Sequence, residues 1–389
     1  MPAVPFRQFV LKTNGRCNLA CTYCYIYQGA DQGWRTRPAR ASAEVLRRTA
    51  DRIADHVATH GLTAIRVELH GGEPLLGGPR RVIGQATAVR EAVASTVGSR
   101  CAVQVGVQTN GTLLTEDVVG ELAAAGISVG VSLDGGSALH NRRRVDHAGR
   151  SSWAAATRGL RLLARRPEAY AGILCTVDPT LDPVEVYAGL LAFDPPTMDF
   201  LLPHATWDTP PPGVPDPGDP SRATPYGDWL ARVFDQWWNE GERVRIRLFS
   251  EIIGLLLGVP GRSEAMGLSP LAAVVVETDG SLEQVDSLRT AYEGASATGM
   301  DVFSAPFDQM LDHPGVVARQ MGLDALPPRC RACPVVLVCG GGNYAHRFRS
   351  GSGFRNPSVH CADLERLIRH IAGRLATAVM ADPADADPA

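Results

Sequence analysis

Three cysteines, Cys17, Cys21 and Cys24, stand in the run Cys-Asn-Leu-Ala-Cys-Thr-Tyr-Cys near the N-terminus. Thiols this close together suit metal binding. Zinc loops ordinarily use a CxxC pair with a second pair downstream, and the three-and-two spacing fits that poorly. A [4Fe–4S] cube has four irons and is normally held by four thiolates. A local CxxxCxxC loop supplies three. One iron is then left open, as the fourth position is at a catalytic zinc. An open iron can chelate a small molecule through an amine and a carboxylate. A second set lies far downstream. Cys330, Cys333 and Cys339 form CxxCx5C, and Cys361 follows after a gap of 21 residues. Four thiols make a closed site, and composition alone allows zinc or [4Fe–4S]. Gly340, Gly341 and Gly342 let amide N–H groups approach cluster sulfurs, which tunes potential. Cys101 and Cys175 fall on apolar strands and read as buried core thiols.

These groups need a scaffold. Strand-then-helix units recur along the first 240 residues. The strands are Arg7 to Thr13, Ile65 to His70, Ala102 to Gln108, Ile127 to Leu133, Ala171 to Val177 and Met198 to Leu202. They are short, apolar and rich in Val, Ile and Leu, as buried parallel strands are. Helical stretches lie between them: Ser42 to His60, Pro79 to Val97, Thr115 to Ala125, Ser152 to Arg165 and Pro183 to Phe193, with a sixth at Tyr226 to Glu240. Ser42 and Thr115 suit N-caps. Strict alternation predicts an α/β fold with a parallel sheet and right-handed crossovers. Six units rather than eight predict a partial barrel open on one side.

Several motifs fall where strands end. Gly71-Gly72-Glu73-Pro74 follows the second strand. Its glycines let backbone approach a ligand, and its carboxylate can receive an ammonium group. Gln108-Thr109-Asn110-Gly111 ends the third strand, and Ser132-Leu133-Asp134-Gly135 closes the fourth. Arg142, Arg143 and Arg144 follow shortly after. Active sites of β/α barrels sit at the C-terminal strand ends. His204, Trp207 and Asp208 after the sixth strand either face substrate or serve packing.

The chain has 389 residues, with 38 Lys plus Arg against 41 Asp plus Glu. That balance argues against a surface that coats nucleic acid. Nothing near the N-terminus reads as a signal peptide, and no apolar run is long enough to span a bilayer. Nine cysteines without a secretion signal predict a cytoplasmic protein whose thiols are metal ligands rather than disulfides. Thr209 to Pro225 is packed with Pro and Gly, an inert loop or a lid. The chain divides into a barrel over 1–240, a bridging helical region over 241–265, a Cys-rich region over 266–381 and a disordered tail over 382–389.

The CxxxCxxC loop with its downstream motifs resembles the radical SAM superfamily. That resemblance implies S-adenosylmethionine (SAM) on the open iron and reductive cleavage to a 5′-deoxyadenosyl radical. Gly71, Gly72 and Glu73 then match the GGE motif that binds the methionyl amine. Ser132 and Arg144 match the pair that holds the SAM carboxylate in related peptide and sulfatase maturases, with Arg142 and Arg143 as neighbouring choices. Tyr23 and Asp134 complete the cofactor-binding set.

The second cysteine set resembles the SPASM region of peptide and anaerobic sulfatase maturases. The resemblance implies that Cys330, Cys333, Cys339 and Cys361 bind the outer auxiliary [4Fe–4S] cluster. The family pattern has further cysteines where this chain has Asn343 and Val285. Ligands of the inner auxiliary cluster are therefore missing together, and two clusters are expected rather than three. In sulfatase maturases a catalytic Asp follows the cysteine at the Val285 position. Carried over, Asp286 is the candidate general base, with a pKa expected to be raised by desolvation.

The likeness is greatest to Fxs-type radical SAM peptide maturases. It is carried by Leu201 to Asp208, Phe234 to Trp238, Val276 to Asp286 and Cys339 to Arg347. Such enzymes join an aromatic ring carbon to the β-carbon of a residue two positions later in a precursor peptide, forming a cyclophane. Thioether or ether formation, or sulfatase-maturase-like oxidation, is the alternative. The implied partners are the precursor peptide and a reductant such as flavodoxin or ferredoxin. No peptide-binding domain is read before Arg7, so the leader is expected to dock on the barrel, the C-terminal region or another protein.

Overall fold

The computed structural model describes residues 3–214, 223–261 and 263–381. The tail over 382–389 and the centre of the Pro-rich segment, 215–222, lie outside the described residues. Alternation of short apolar strands with amphipathic helices produces the anticipated α/β architecture. The first six strands are β1 (Gln8–Asn14), β2 (Ala64–Gly71), β3 (Ala102–Thr109), β4 (Ile127–Ser132), β5 (Tyr170–Thr176) and β6 (Thr197–Leu201). All neighbours among them pair in parallel.

The intervening helices are α1 (Ala43–His60), α2 (Pro79–Val97), α3 (Glu116–Ala124), α4 (Trp153–Leu163) and α5 (Pro183–Leu191). The Ser42 side chain caps α1 by accepting from Val45 N, and Thr115 caps α3 through Val118 N. Helix α6 (Pro225–Asn239) follows β6, and α7 (Arg247–Leu256) follows the two-residue β7 (Arg245–Ile246). The strands bury Phe9, Leu11, Val67, Leu69, Val107 and Val129 against Ile53, Val57 and Val89 of the helices.

The sheet does not stop at six strands. β7 extends it beyond β6, and β8 (Ala273–Val276), β9 (Ser281–Glu283) and β10 (Ala297–Asp301) extend it beyond β1. The order is β10-β9-β8-β1-β2-β3-β4-β5-β6-β7. β8 pairs in parallel with β1, setting Gln8 to Leu11 opposite Ala273 to Val276. The Cys-rich region thus covers an edge of β1 that would otherwise expose unpaired backbone groups. The hairpin at Asp279-Gly280 joins β8 to β9 in antiparallel pairing.

The C-terminal helix Cys361–Ala381 returns to the barrel. Asp363, buried in its first turn, accepts from Tyr226 N and Gly227 N at 2.9 Å, satisfying the start of α6. Phe234, Trp237 and Phe249 pack into one aromatic cluster between α6 and α7. Among the described residues, no helix is long and apolar enough to cross a membrane.

Candidate active site at the C-terminal ends of the strands

Cys17, Cys21 and Cys24 lie on the loop leaving β1, each half-buried. Leu19 N donates to Cys17 Sγ at 3.3 Å, and Asn110 Nδ2 approaches the same sulfur at 3.8 Å. Burial pushes the Cys17 thiol up to about 12. None of the nine cysteines is in a disulfide. Three thiols converging on one loop, with backbone and amide donors aimed at sulfur, fit a cluster held by three ligands.

The Gly71–Glu73 turn passes directly beneath that loop. Gly72 N donates to Asn14 O at 2.8 Å, and Glu73 N donates to Arg16 O at 3.0 Å. A Cβ on Gly72 would sit 1.9 Å from Tyr27 Oη and 2.5 Å from the Arg16 backbone, so only glycine fits. Glu73 is fully buried. Its Oε1 accepts from Leu75 N at 3.0 Å and Thr109 Oγ1 at 2.7 Å, and its Oε2 accepts from Asn110 N at 2.8 Å. The carboxylate therefore braces β2 against β3 rather than standing open to an ammonium group. What the turn presents outward is backbone.

The arginines separate cleanly. Arg142 pairs with Asp178 at 2.8 Å, and Arg143 reaches the same carboxylate at 3.5 Å. Arg144 alone turns inward. Its NH1 donates to Tyr23 Oη at 2.7 Å, and Tyr23 Oη donates to Asp134 Oδ2 at 2.5 Å. Thr176 N and Asn141 hold Asp134 in place, the latter accepting from Asp134 N at 2.9 Å. Tyr23, between Cys21 and Cys24, thereby ties the thiol loop to the ends of β4 and β5. Arg144 Nε is buried without a hydrogen-bond partner. An unused guanidinium donor beside the thiol loop suits an anionic ligand group. Ser132 Oγ, accepting from Gln108 Nε2 at 2.9 Å, lies at the end of β4.

Asp286 enters the site from the other side of the sheet. It starts the 3-10 turn Asp286–Thr290 after β9. Its Oδ2 pairs with the buried Lys12 ammonium. Parallel register sets Lys12 beside His70, whose Nδ1 is 3.3 Å from Lys12 Nζ and 3.9 Å from Asp286 Oδ2. Burial opposes ionisation of Asp286, but Lys12 and Arg289 outweigh it and draw the pKa down to about 2. The upward shift expected from desolvation is thus reversed, because the carboxylate is salt-bridged by Lys12. Burial, reinforced by Lys12, lowers His70 to about 4, so it is neutral at pH 7.

Arg289 anchors the surrounding acids. It pairs with Glu277 at 2.8 Å, Glu283 at 2.5 Å and Asp31 at 3.2 Å, and lies 3.6 Å from Asp286. Arg37 reaches Glu277 at 3.5 Å and Asp279 at 3.4 Å. The carboxylates of Glu277, Glu283 and Asp286 are thus neutralised by cations of the chain itself.

The third side of the mouth is aromatic. Tyr25 meets His204 edge to face at 4.6 Å, and His204 Nδ1 is 3.1 Å from His346 Nε2. His346 lies 5.0 Å from His360, the neighbour of Cys361. Burial lowers His204 to about 4. Trp207 Nε1 donates to Pro357 O at 2.8 Å, and Asp208 accepts from Ser350 N at 3.0 Å. Of these three residues, His204 faces the mouth, while Trp207 and Asp208 hold the C-terminal region to the barrel. Lys12, Tyr25, His70, Arg289 and His346 were not singled out from sequence. A buried Lys within an apolar strand was the available signal for Lys12.

Cys330, Cys333, Cys339 and Cys361 line one cavity of about 150 Å³, together with Gly341 and Ser358. Burial raises Cys330 to about 11 and Cys339 to about 12; the Gly341 N–H works against the latter shift. Arg347 gathers the carbonyls of Gly340, Gly341 and Gly342 at 2.7, 3.1 and 2.9 Å. Four thiols around one void, with an amide aimed at sulfur, fit a metal centre with a complete ligand set. Val285 is buried in packing, and Asn343 caps the next turn by accepting from Ala345 N at 3.0 Å.

The sequence model of the Radical SAM superfamily matches residues 11–182. A short DUF761-associated sequence motif matches residues 313–331. The chain is 26% identical over 363 residues to a serine-type anaerobic sulfatase-maturating enzyme of Klebsiella aerogenes, covering 90% of this chain and 82% of that one. It is 24% identical over 287 residues to a cysteine-type anaerobic sulfatase-maturating enzyme of Clostridium novyi (strain NT), covering 70% and 71%. The solved structure of native anSMEcpe with bound AdoMet and Cp18Cys peptide shares the fold, with a TM-score of 0.77 at 22% identity over 96% of this chain and 99% of that one.

Residues 11–182 thus match the Radical SAM superfamily, and the chain as a whole shares the fold of a solved structure with bound AdoMet. Over most of its length the chain is similar to anaerobic sulfatase-maturating enzymes.

Proposed function

We propose that this enzyme crosslinks a ribosomally made precursor peptide, joining an aromatic ring carbon to a side-chain β-carbon with net loss of two hydrogens. A [4Fe–4S] cluster on Cys17, Cys21 and Cys24, with SAM on its open iron, supplies one-electron cleavage and hydrogen abstraction when bound. Arg144, with its unpartnered Nε, and Ser132 hold the SAM carboxylate. The backbone of Gly71 to Glu73 receives the amine. Tyr23 and Asp134 fix Arg144 in place. Cys330, Cys333, Cys339 and Cys361 hold the one auxiliary cluster.

An auxiliary cluster on Cys330, Cys333, Cys339 and Cys361 would accept the electron that the ring gives up as it regains aromaticity, and Asp286 Oδ1 takes up the accompanying proton. This buried oxygen has no hydrogen-bond partner, whereas Oδ2 is engaged by Lys12. The enclosing aromatic wall of Tyr25 and His204 positions the substrate side chains and excludes water.

One observation carries the reading. Three of the four stretches that resemble Fxs-type maturases meet at the mouth: Leu201 to Asp208 and Cys339 to Arg347 through His204 and His346, and Val276 to Asp286 through Asp286. The fourth, Phe234 to Trp238, is packed in the aromatic cluster behind them.

The kinship with sulfatase-maturating enzymes favours a second reading, oxidation of a Cys or Ser side chain. Val285 and Asn343, in place of inner-cluster ligands, weigh against it.

Co-expression with the short peptide encoded beside the gene, followed by mass spectrometry, tests the proposal. Loss of two hydrogens with fragmentation blocked across an aromatic-X-X unit is expected. A link through Cys sulfur, or an unlinked oxidised Cys or Ser, overturns it.

A further inference from the structure

Away from the radical site, α1 carries His56 and His60 one turn apart, so both imidazoles leave the same face. The short helix Phe307–Leu311 brings Asp308 against them. Asp308 Oδ1 lies 2.7 Å from His56 Nδ1 and 2.7 Å from His60 Nε2. The three candidate ligand atoms all fall within 4.8 Å of one another. His56 is buried, whereas His60 and Asp308 are partly open to solvent, which gives a cation a route in.

The surroundings suit ligation. His56 packs among Phe6, Phe9 and Phe307. His56 Nε2 is buried and makes no hydrogen bond. Ligation through Nδ1 places the ring proton on Nε2, the nitrogen that is not turned toward Asp308.

We propose that His56, His60 and Asp308 form a zinc-type divalent cation site that clips α1 to the helix Phe307–Leu311. Two imidazoles and one carboxylate leave a fourth position for water. His56 and Asp308 are 252 positions apart. A cation there joins the helical layer of the barrel to the Cys-rich region and stabilises the folded state by mass action.

The test uses enzyme with its iron–sulfur clusters reconstituted. One equivalent of zinc chloride is added anaerobically, the protein is desalted, and zinc and iron are counted. Zinc K-edge X-ray absorption then reads the ligands without interference from iron. The expected result is zinc retained with nitrogen and oxygen neighbours at roughly 2.0–2.1 Å. His60→Ala and Asp308→Asn should each weaken retention at least tenfold with iron content unchanged. Both changes are at partly exposed side chains, and iron content reports on correct folding. Zinc lost from the wild type, a sulfur shell at roughly 2.3 Å, or wild-type retention by either variant overturns the proposal.

Discussion

Lys12 and Asp286 stand 274 positions apart in the chain and form a buried ion pair at the C-terminal end of β1. The pair joins the first strand of the barrel to the turn after β9. It also decides the protonation state of the candidate base: Asp286 is ionised at neutral pH and ready to accept a proton.

The pair makes a prediction about acid stability. The folded pKa of Asp286, about 2, lies below the ordinary value of 3.8. Its stabilisation is therefore complete above that ordinary value and is lost as pH falls through about 2. The linkage amounts to about 2 kcal/mol at neutral pH. Asp286→Asn leaves the Lys12 charge buried and unpaired, a change that costs about 3–5 kcal/mol at pH 7. Anaerobic urea unfolding at pH 7 and near pH 2 should show that deficit shrinking in acid. A Lys12→Met/Asp286→Leu variant should recover most of the stability but no crosslinking. Recovered crosslinking would remove Asp286 from the chemistry.

Arg144 should differ sharply from its neighbours. Arg144→Lys removes the planar fork and its unpartnered Nε, and should weaken SAM retention by about tenfold or more. Arg142→Ala and Arg143→Ala disturb partly exposed pairs with Asp178 and should change it less than about threefold. Equilibrium dialysis with labelled SAM distinguishes them. Equal losses at all three positions would mean that the basic run acts as a whole.

Gly72→Ala should prevent the thiol loop from closing. Its Cβ would collide with Tyr27 Oη and with the Arg16 backbone. Adding Tyr27→Phe should not rescue it, because the backbone obstruction stays. Iron content and the electron paramagnetic resonance signal of the reduced N-terminal cluster provide the readout. Normal iron in Gly72→Ala would show that the turn yields.

Cluster number is open to direct count. Wild-type protein should carry roughly eight irons per chain as two [4Fe–4S] clusters. Replacing Cys330, Cys333, Cys339 and Cys361 together by Ala should leave about four. Replacing Cys101 and Cys175, which lie in the core, should leave the count unchanged. Roughly twelve irons in the wild type would require ligands for a third cluster despite Val285 and Asn343.

Much of this molecule can be read from local sequence. Thiol spacing, strand-ending glycines, N-caps at Ser42 and Thr115, and the alternation of apolar strands with helices all express interactions within a few residues. β1 to β6 accordingly fall within a residue of their sequence-derived positions. Long-range placement could not be read that way. The choice of Arg144 over Arg142 and Arg143 depends on Tyr23 and Asp134 lying on one side and Asp178 on the other. The downward shift of Asp286 depends on Lys12, whose partner lies across the sheet. The extension of the sheet by β8 depends on pairing between strands more than 250 positions apart. Periodicity and capping act along the chain, whereas charge pairing, desolvation and edge coverage act through space. The spacing of the cysteines was therefore legible along the chain, and the electrostatics around them emerged only when distant segments were packed together.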